Sequence, residues 1–237
     1  MSRVRLLLAS ASPARLTTLR AAGVEPEVLV SGVDEPAVLA AAGADGPLAP
    51  ADAVLVLAQA KARDVVGRVG AGGRVGAGGP DGSPDLVLGC DSMLELDGEV
   101  LGKPGSPDEA RARWRAMRGR TGVLHTGHWL VDLRDDGDRA RDLAAPGPVP
   151  ADRPHELGET SSTSVTFADV TDAEIDAYVA TGEPLHVAGA FTIDGLGGAF
   201  VERVDGDHHG VVGLSLPTLR RLLLGRDVAW TDLWAAS

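Results

Sequence analysis

The chain has one cysteine, Cys90, in 237 residues. That excludes an internal disulfide and a zinc site built on several thiolates. A single thiol fits a reducing compartment, and the cytoplasm is the expected location. Aromatic residues make up only 3% of the chain, so the core has to be built from Val, Leu and Ala. No apolar run reaches the ~18 residues that a membrane-spanning helix needs, so no membrane partner is expected. The opening MSRVRLLLASASPAR sets basic residues before an apolar run, as a secretory leader does. The run Leu6 to Ala9 is too short for that, and Pro13 and Arg15 follow at once. It reads as a first strand. Positive charge is also scarce: 22 Lys and Arg face 34 Asp and Glu, for a net charge of −12. Such a surface repels polyanions and argues against a nucleic-acid polymer as partner. A small phosphate ligand stays compatible if cations are gathered locally. Lysine is scarcest of all. Only Lys61 and Lys103 occur, and every other cationic side chain is arginine. Where arginine is the default, a retained lysine points to a place that wants a compact ammonium rather than a planar fork.

What is present reads as interleaved strands and helices, hence an α/β fold with a mixed, twisted sheet flanked by helices. Val4 to Ala9 is a strand. Ser12 and Pro13 are a good N-cap and first residue for a helix ending near Gly23. Val28 to Val30 is a short strand, with Asp34 and Glu35 after it. Pro50 to Val66 is a helix, with Val54, Leu57, Ala58, Lys61, Ala62 and Val65 on one face at ~100° per residue. Lys61 therefore lies within an apolar stripe, where it either snorkels out or meets an anion in a cleft. Residues 67–84 are Gly-rich, with GRVGAG twice in tandem, and read as a loop insertion. Asp85 to Gly89 is a buried strand running into Cys90, Asp91 and Ser92. Met93–Leu96 and Glu99–Leu101 form a hairpin about an Asp-Gly turn. Pro107–Met117 is helical, and Thr121–Leu133 is a strand with an interruption. Residues 134–160 read as a second insertion. Ser164–Ala168 is a strand, Thr171 to Glu174 a capping box, 187–204 two short strands, and Ser215–Leu224 a final helix.

Several residues carry possible chemistry, and each also has a plain structural role. Ser10, Ser12 and Arg15 stand where a strand turns into a helix, so free N–H groups, two hydroxyls and a guanidinium can meet an anion; or Ser12 merely caps. Glu35 can hold Mg²⁺, which prefers oxygen ligands, or is a loop acid. Asp91 ends an apolar strand, where ligands of α/β sheets collect, and can bind metal or activate water. Lys103, between Gly102 and Pro104, can be aimed inward with Lys61 to neutralise a polyphosphate. Asp207-His208-His209 suggests a metal, but in a strand the two imidazoles would point to opposite faces, and a polar turn is the preferred reading. Cys90 reads as a small buried filler.

In order, LLLASASPAR, VDE, LAQAKA, LGCDSMLELDGEVLGKP, RWRAMRGRTGVLHTGHWLV, TSVTFADVTDAEIDAYVATGEP, AGAFTIDGLGGAFVERVDGD and VVGLSLPTL resemble the Maf family. The likeness runs from residue 4 to about residue 224 and skips only the two insertions. It implies a single elongated domain over 1–237, with two lobes about a central cleft, similar to the inosine triphosphate pyrophosphatases. It further implies a homodimer and a nucleoside triphosphate substrate, split into monophosphate and pyrophosphate with Mg²⁺ or Mn²⁺. By position, Ser10, Ser12 and Arg15 belong to the phosphate loop, and Lys61 and Lys103 contact phosphates. Glu35 is the metal-binding acid, and Asp91 the general base or metal-linked acid. Ala14, Ser92 and Asp194 depart from family members acting on dTTP and UTP, which carry Arg, Thr and Gln there. These three are read as substrate-binding positions that set base choice. Gly210 stands where Asn is common. Two other functions compete: a hydrolase releasing inorganic phosphate, and a non-enzymatic nucleotide-binding regulator of septum formation.

Overall fold

The computed structural model describes residues 4–44, 46–70, 84–134 and 155–234. The chain runs β1 (Leu6–Ala9), α1 (Pro13–Ala21), β2 (Glu27–Val28), α2 (Glu35–Ala42), α3 (Pro50–Gly70), β3 (Leu86–Leu96) and β4 (Glu99–Leu101). It continues α4 (Pro107–Met117), β5 (Thr121–Asp132), β6 (Glu156–Phe167), α5 (Asp172–Ala180), β7 (Val201–Asp205), α6 (His208–Val212) and α7 (Leu216–Leu224). Among the described residues these strands form one seven-stranded sheet in the order β2-β1-β3-β5-β6-β7, with β4 attached to β3. β1 is parallel to β2 and β3, and the pairs from β3 to β7 are antiparallel, so the sheet is mixed as expected.

Pattern on β3 explains the layering. Its side chains alternate between faces. On one face Leu86, Leu88 and Cys90 join a cluster with Leu19 of α1 and Leu219, Leu222 and Leu223 of α7. Further along the same face Leu94 and Leu96 join a second cluster with Trp114 of α4, Ile175 and Tyr178 of α5, and Phe167. Ser92 stands between the two and belongs to neither. Leu130 and Leu124 of β5 divide in the same way, one to each cluster, with Thr126 and His128 between them. The two cores are thus separated by a polar seam across the sheet. On the opposite face Leu7, Ala9 and Val87 pack against Ala62 and Val65 of α3.

α3 lies close enough to the sheet to require glycine beneath it. A Cβ on Gly89 would sit 2.1 Å from the Ala58 carbonyl oxygen, and one on Gly127 2.3 Å from that of Val54. The hairpin turn is the Asp-Gly kind expected, with Asp97 at φ 53° and Gly98 at φ 83°.

Several boundaries differ from the sequence reading. β3 is continuous through Asp91, and β5 is uninterrupted, because Gly127 is there for the approach of α3 rather than as a breaker. α2 takes Asp34 as N-cap and has no buried residue, so it left no apolar stripe to find. The Gly-rich insertion begins later than 67, since α3 reaches Gly70; its residues 71–83 lie outside the described residues. The 134–160 insertion is also shorter, because β6 begins at Glu156; residues 135–154 lie outside the described set. The stretch 187–200 holds two 3₁₀ turns, Ala188–Ala190 and Leu196–Phe200, instead of a strand, and Val201–Asp205 is extended. Asp207, His208 and His209 open the short helix α6, with Asp207 as N-cap, and not a strand or simple turn.

Candidate active site

β1 pairs with β3 from Leu86 to Gly89, and β4 pairs with β3 from Leu94 to Leu96. β1 and β4 both lie across β3 from β5. Between them, Cys90 to Met93 have no partner strand on that side among the described residues. Asp91 and Ser92 therefore stand at a gap in the sheet, and their side chains leave on opposite faces.

Asp91 faces α3. Its Oδ1 accepts a hydrogen bond from Lys61 Nζ at 2.5 Å, and Glu35 Oε1 lies 2.7 Å from the same ammonium. The sequence places the three by different devices: a strand at the sheet gap, the apolar stripe of α3, and the first turn of α2. Lys61 and Asp91 are almost wholly buried, whereas the Glu35 side chain is half exposed. Burying Lys61 on an apolar face is costly unless charge is met locally, and here it is met twice. The ammonium thus does not snorkel out to solvent.

Ser92 faces the other way. Its Oγ accepts from Arg15 Nη2 at 3.0 Å and lies 2.9 Å from Thr126 Oγ1. Arg15 is buried and spans the seam: Nε donates to the Gly213 carbonyl at 2.8 Å, and Nη1 to Ser10 Oγ at 2.9 Å and to the Cys90 carbonyl at 2.8 Å. Thr126 Oγ1 also donates to the Gly210 carbonyl at 2.8 Å, so α6 is fastened to the seam from two sides. Ser10 Oγ accepts from the Ser12 N–H as well, at 3.2 Å. Ser12 caps α1. Burial raises the Cys90 thiol to about 11, which keeps it an inert filler.

Two clusters therefore meet through the adjacent residues Asp91 and Ser92: Lys61, Glu35 and Asp91 on one face, and Ser10, Ser12, Arg15 and Ser92 on the other. Ala14 lies in the first turn of α1, half-buried. Lys103 and Asp194 are exposed. Among the described residues no hydrogen bond or ion pair links the Lys103 ammonium or the Asp194 carboxylate to either cluster. The loop carrying Asp194 is held by Glu183, which accepts from Tyr178 Oη at 2.9 Å, from Thr192 Oγ1, and from the Leu196 and Gly197 N–H groups at 3.1 Å each. Burial pushes the Glu183 carboxyl up, but these donors outweigh it and hold it below the ordinary range. Thr126, Gly213 and Glu183 escaped the sequence reading, although each lies in a quoted motif. Their roles depend on partners 84, 198 and 5–14 residues away.

Glu35 and Asp91 offer carboxylate oxygens to one positively charged point, the donor chemistry that a hard divalent cation requires. The Asp207, His208 and His209 ligand atoms lie within 4.8 Å of one another, but the Asp207 carboxylate already caps α6 through the His209 and Gly210 N–H groups. No helix among the described residues is long and apolar enough to cross a membrane.

Fold and site together define an α/β protein with an anion-receptive strand-to-helix turn beside a carboxylate–ammonium centre at a break in its sheet. The chain belongs to the Maf family, whose model, described as Maf-like protein, matches residues 5–225. It is 53% identical over 98% of its length, and 97% of the relative's, to a protein of Leifsonia xyli subsp. xyli named nucleoside triphosphate pyrophosphatase. Proteins of the same name from Streptomyces coelicolor and Mycobacterium sp. (strain JLS) are 50% and 46% identical. These matches cover 98% and 97% of the chain, and 96% and 98% of those proteins.

Proposed function

We propose that the chain is a nucleoside triphosphate pyrophosphatase, hydrolysing the bond between the α- and β-phosphates to give a nucleoside monophosphate and pyrophosphate. The observation that carries this is the Lys61–Glu35–Asp91 centre joined through Ser92 to the Ser10–Arg15 turn. Relatives that share about half of the residues over nearly the whole chain bear that activity in their names.

Ser10 and the N-terminus of α1 receive phosphate oxygens, and Arg15 stiffens the turn that does so. Glu35 and Asp91 would hold a divalent cation, Mg²⁺ or Mn²⁺, which when bound supplies Lewis-acid polarisation of the phosphates. Asp91 orients water for in-line attack on the α-phosphorus and takes its proton. Lys61 and Lys103 neutralise the charge that gathers on the departing pyrophosphate. Ala14, Ser92 and Asp194 set the base preference. An ionised Asp194 accepts hydrogen bonds and cannot donate, which favours a base edge rich in N–H groups, such as guanine. On this reading one cytoplasmic domain, associating as a homodimer, acts on free nucleotides.

The test is release of pyrophosphate and of phosphate across a panel of nucleotides with Mg²⁺ or Mn²⁺, with Asp91→Asn run in parallel. Pyrophosphate from the wild type, with turnover reduced at least ~100-fold in Asp91→Asn and nucleotide affinity reduced much less, is expected. Phosphate as first product would assign a different hydrolase, and binding without turnover would favour the regulator. A clear preference for dTTP over GTP would overturn the role given to Asp194.

A further inference from the structure

We infer that Lys61 is a built-in counter-ion holding the place of the divalent cation in the nucleotide-free protein, so that metal and triphosphate bind with positive coupling. This rests on the function proposed above. Lys61 Nζ lies 2.5 Å from Asp91 Oδ1 and 2.7 Å from Glu35 Oε1, the two carboxylates that would hold the metal. One point of positive charge already serves both. A dication brought to the same oxygens meets the ammonium at close range, with Lys61 and Asp91 both buried and little water to screen the repulsion. Metal entry therefore needs Lys61 to move, and a buried ammonium leaves only if another anion receives it.

The geometry supplies that exit. An ammonium has three N–H donors; Asp91 accepts one, and Glu35 meets the charge as an ion pair at 2.7 Å. Among the described residues Lys61 Nζ makes no other hydrogen bond or ion pair. A donor is left for an incoming phosphate oxygen. Triphosphate draws the ammonium off the carboxylates, and the vacated pair takes the metal. By linkage the metal raises nucleotide affinity by the same factor. Glu35 is the flexible member of the trio: its side chain is half exposed and sits at the start of α2, a helix with no buried residue among those described.

The readout is Mn²⁺ binding followed by electron paramagnetic resonance, with and without a non-hydrolysable α,β-methylene triphosphate. The proteins are the wild type, Lys61→Met and Lys61→Gln, with thermal denaturation checking that each is folded. Lys61→Gln keeps a hydrogen-bonding head without charge, so one variant remains informative if two unpaired carboxylates unfold the other. Without nucleotide, either folded variant should bind Mn²⁺ about tenfold or more tightly than the wild type. Glu35→Gln added to either should remove the gain. The analogue should tighten Mn²⁺ on the wild type and much less on the variants. Equal Mn²⁺ affinity of wild type and variants without nucleotide would overturn the counter-ion role while leaving the pyrophosphatase reading intact. No Mn²⁺ binding by any protein, even with the analogue, would overturn the metal assignment itself and this inference with it.

Discussion

Arg15 shows how far a residue's role can lie from its motif. Its position beside two serines suggested a solvated cation or a phosphate contact. It is not solvated: it is buried, with hydrogen bonds to Ser10, Ser92 and the carbonyls of Cys90 and Gly213. A lysine would keep the charge but cannot reproduce a fork that reaches four acceptors. Arg15→Lys should cost about 2 kcal/mol or more, since at least one buried carbonyl loses its donor. Urea melts check the cost. A variant as stable as the wild type would return Arg15 to a purely electrostatic role. Lys61 was more legible, because helical periodicity alone placed an ammonium on an apolar face. Its partners were not legible, for Glu35 and Asp91 come from 26 and 30 residues away in opposite directions along the chain.

Among the elements, α3 decides the site. It spans 21 residues and rests on the sheet over Gly89 and Gly127. Gly127→Ala would place a methyl 2.3 Å from the Val54 carbonyl oxygen, so helix and strand must part. Overpacking of this kind costs about 1–3 kcal/mol, and lifting α3 also draws Lys61 away from Asp91. Lower stability and lower turnover together are expected. Gly67, on the same helix, has open space where a Cβ would stand, with no atom of the described residues outside its own helical backbone within 4 Å. Gly67→Ala should therefore be neutral or stabilising by up to about 1 kcal/mol, through helix propensity alone. Paired denaturation curves and activities test both. If the two alanines behaved alike, the close approach of α3 would not be what the glycine serves. Periodicity announces α3 and most strands, but not the continuity of β5, because a glycine that admits a helix looks like a glycine that ends a strand. The helix α2 offered Asp34 as a cap and a proline in its first turn, signals overlooked because no apolar face accompanied them.

For the whole molecule, the seam between the two cores makes stability depend on pH. His128 is buried there, and its Nε2 accepts the Ser215 N–H at 2.8 Å. Burial first, and then the charge of Arg15, push its pKa down from 6.5 to about 4. The unfolded chain takes up the proton near 6.5, whereas the folded protein refuses it until about 4. Stability is therefore full above pH 6.5 and is lost as pH falls toward 4. From pH 7 to pH 5 this one group should remove about 2 kcal/mol. His128→Gln, which does not titrate, should lose correspondingly less over that interval in urea melts. Parallel losses in the two proteins would assign the acid sensitivity to other groups. The sequence by itself determined the alternation of strands and helices, the caps, the Asp-Gly hairpin and the two lysines, because these follow from local periodicity and backbone chemistry. Only the tertiary structure decided that Lys61 stands between Glu35 and Asp91 and that Arg15 spans the seam. Those contacts depend on which strand stops opposite which residue of β3, and a chain's local pattern does not carry that information.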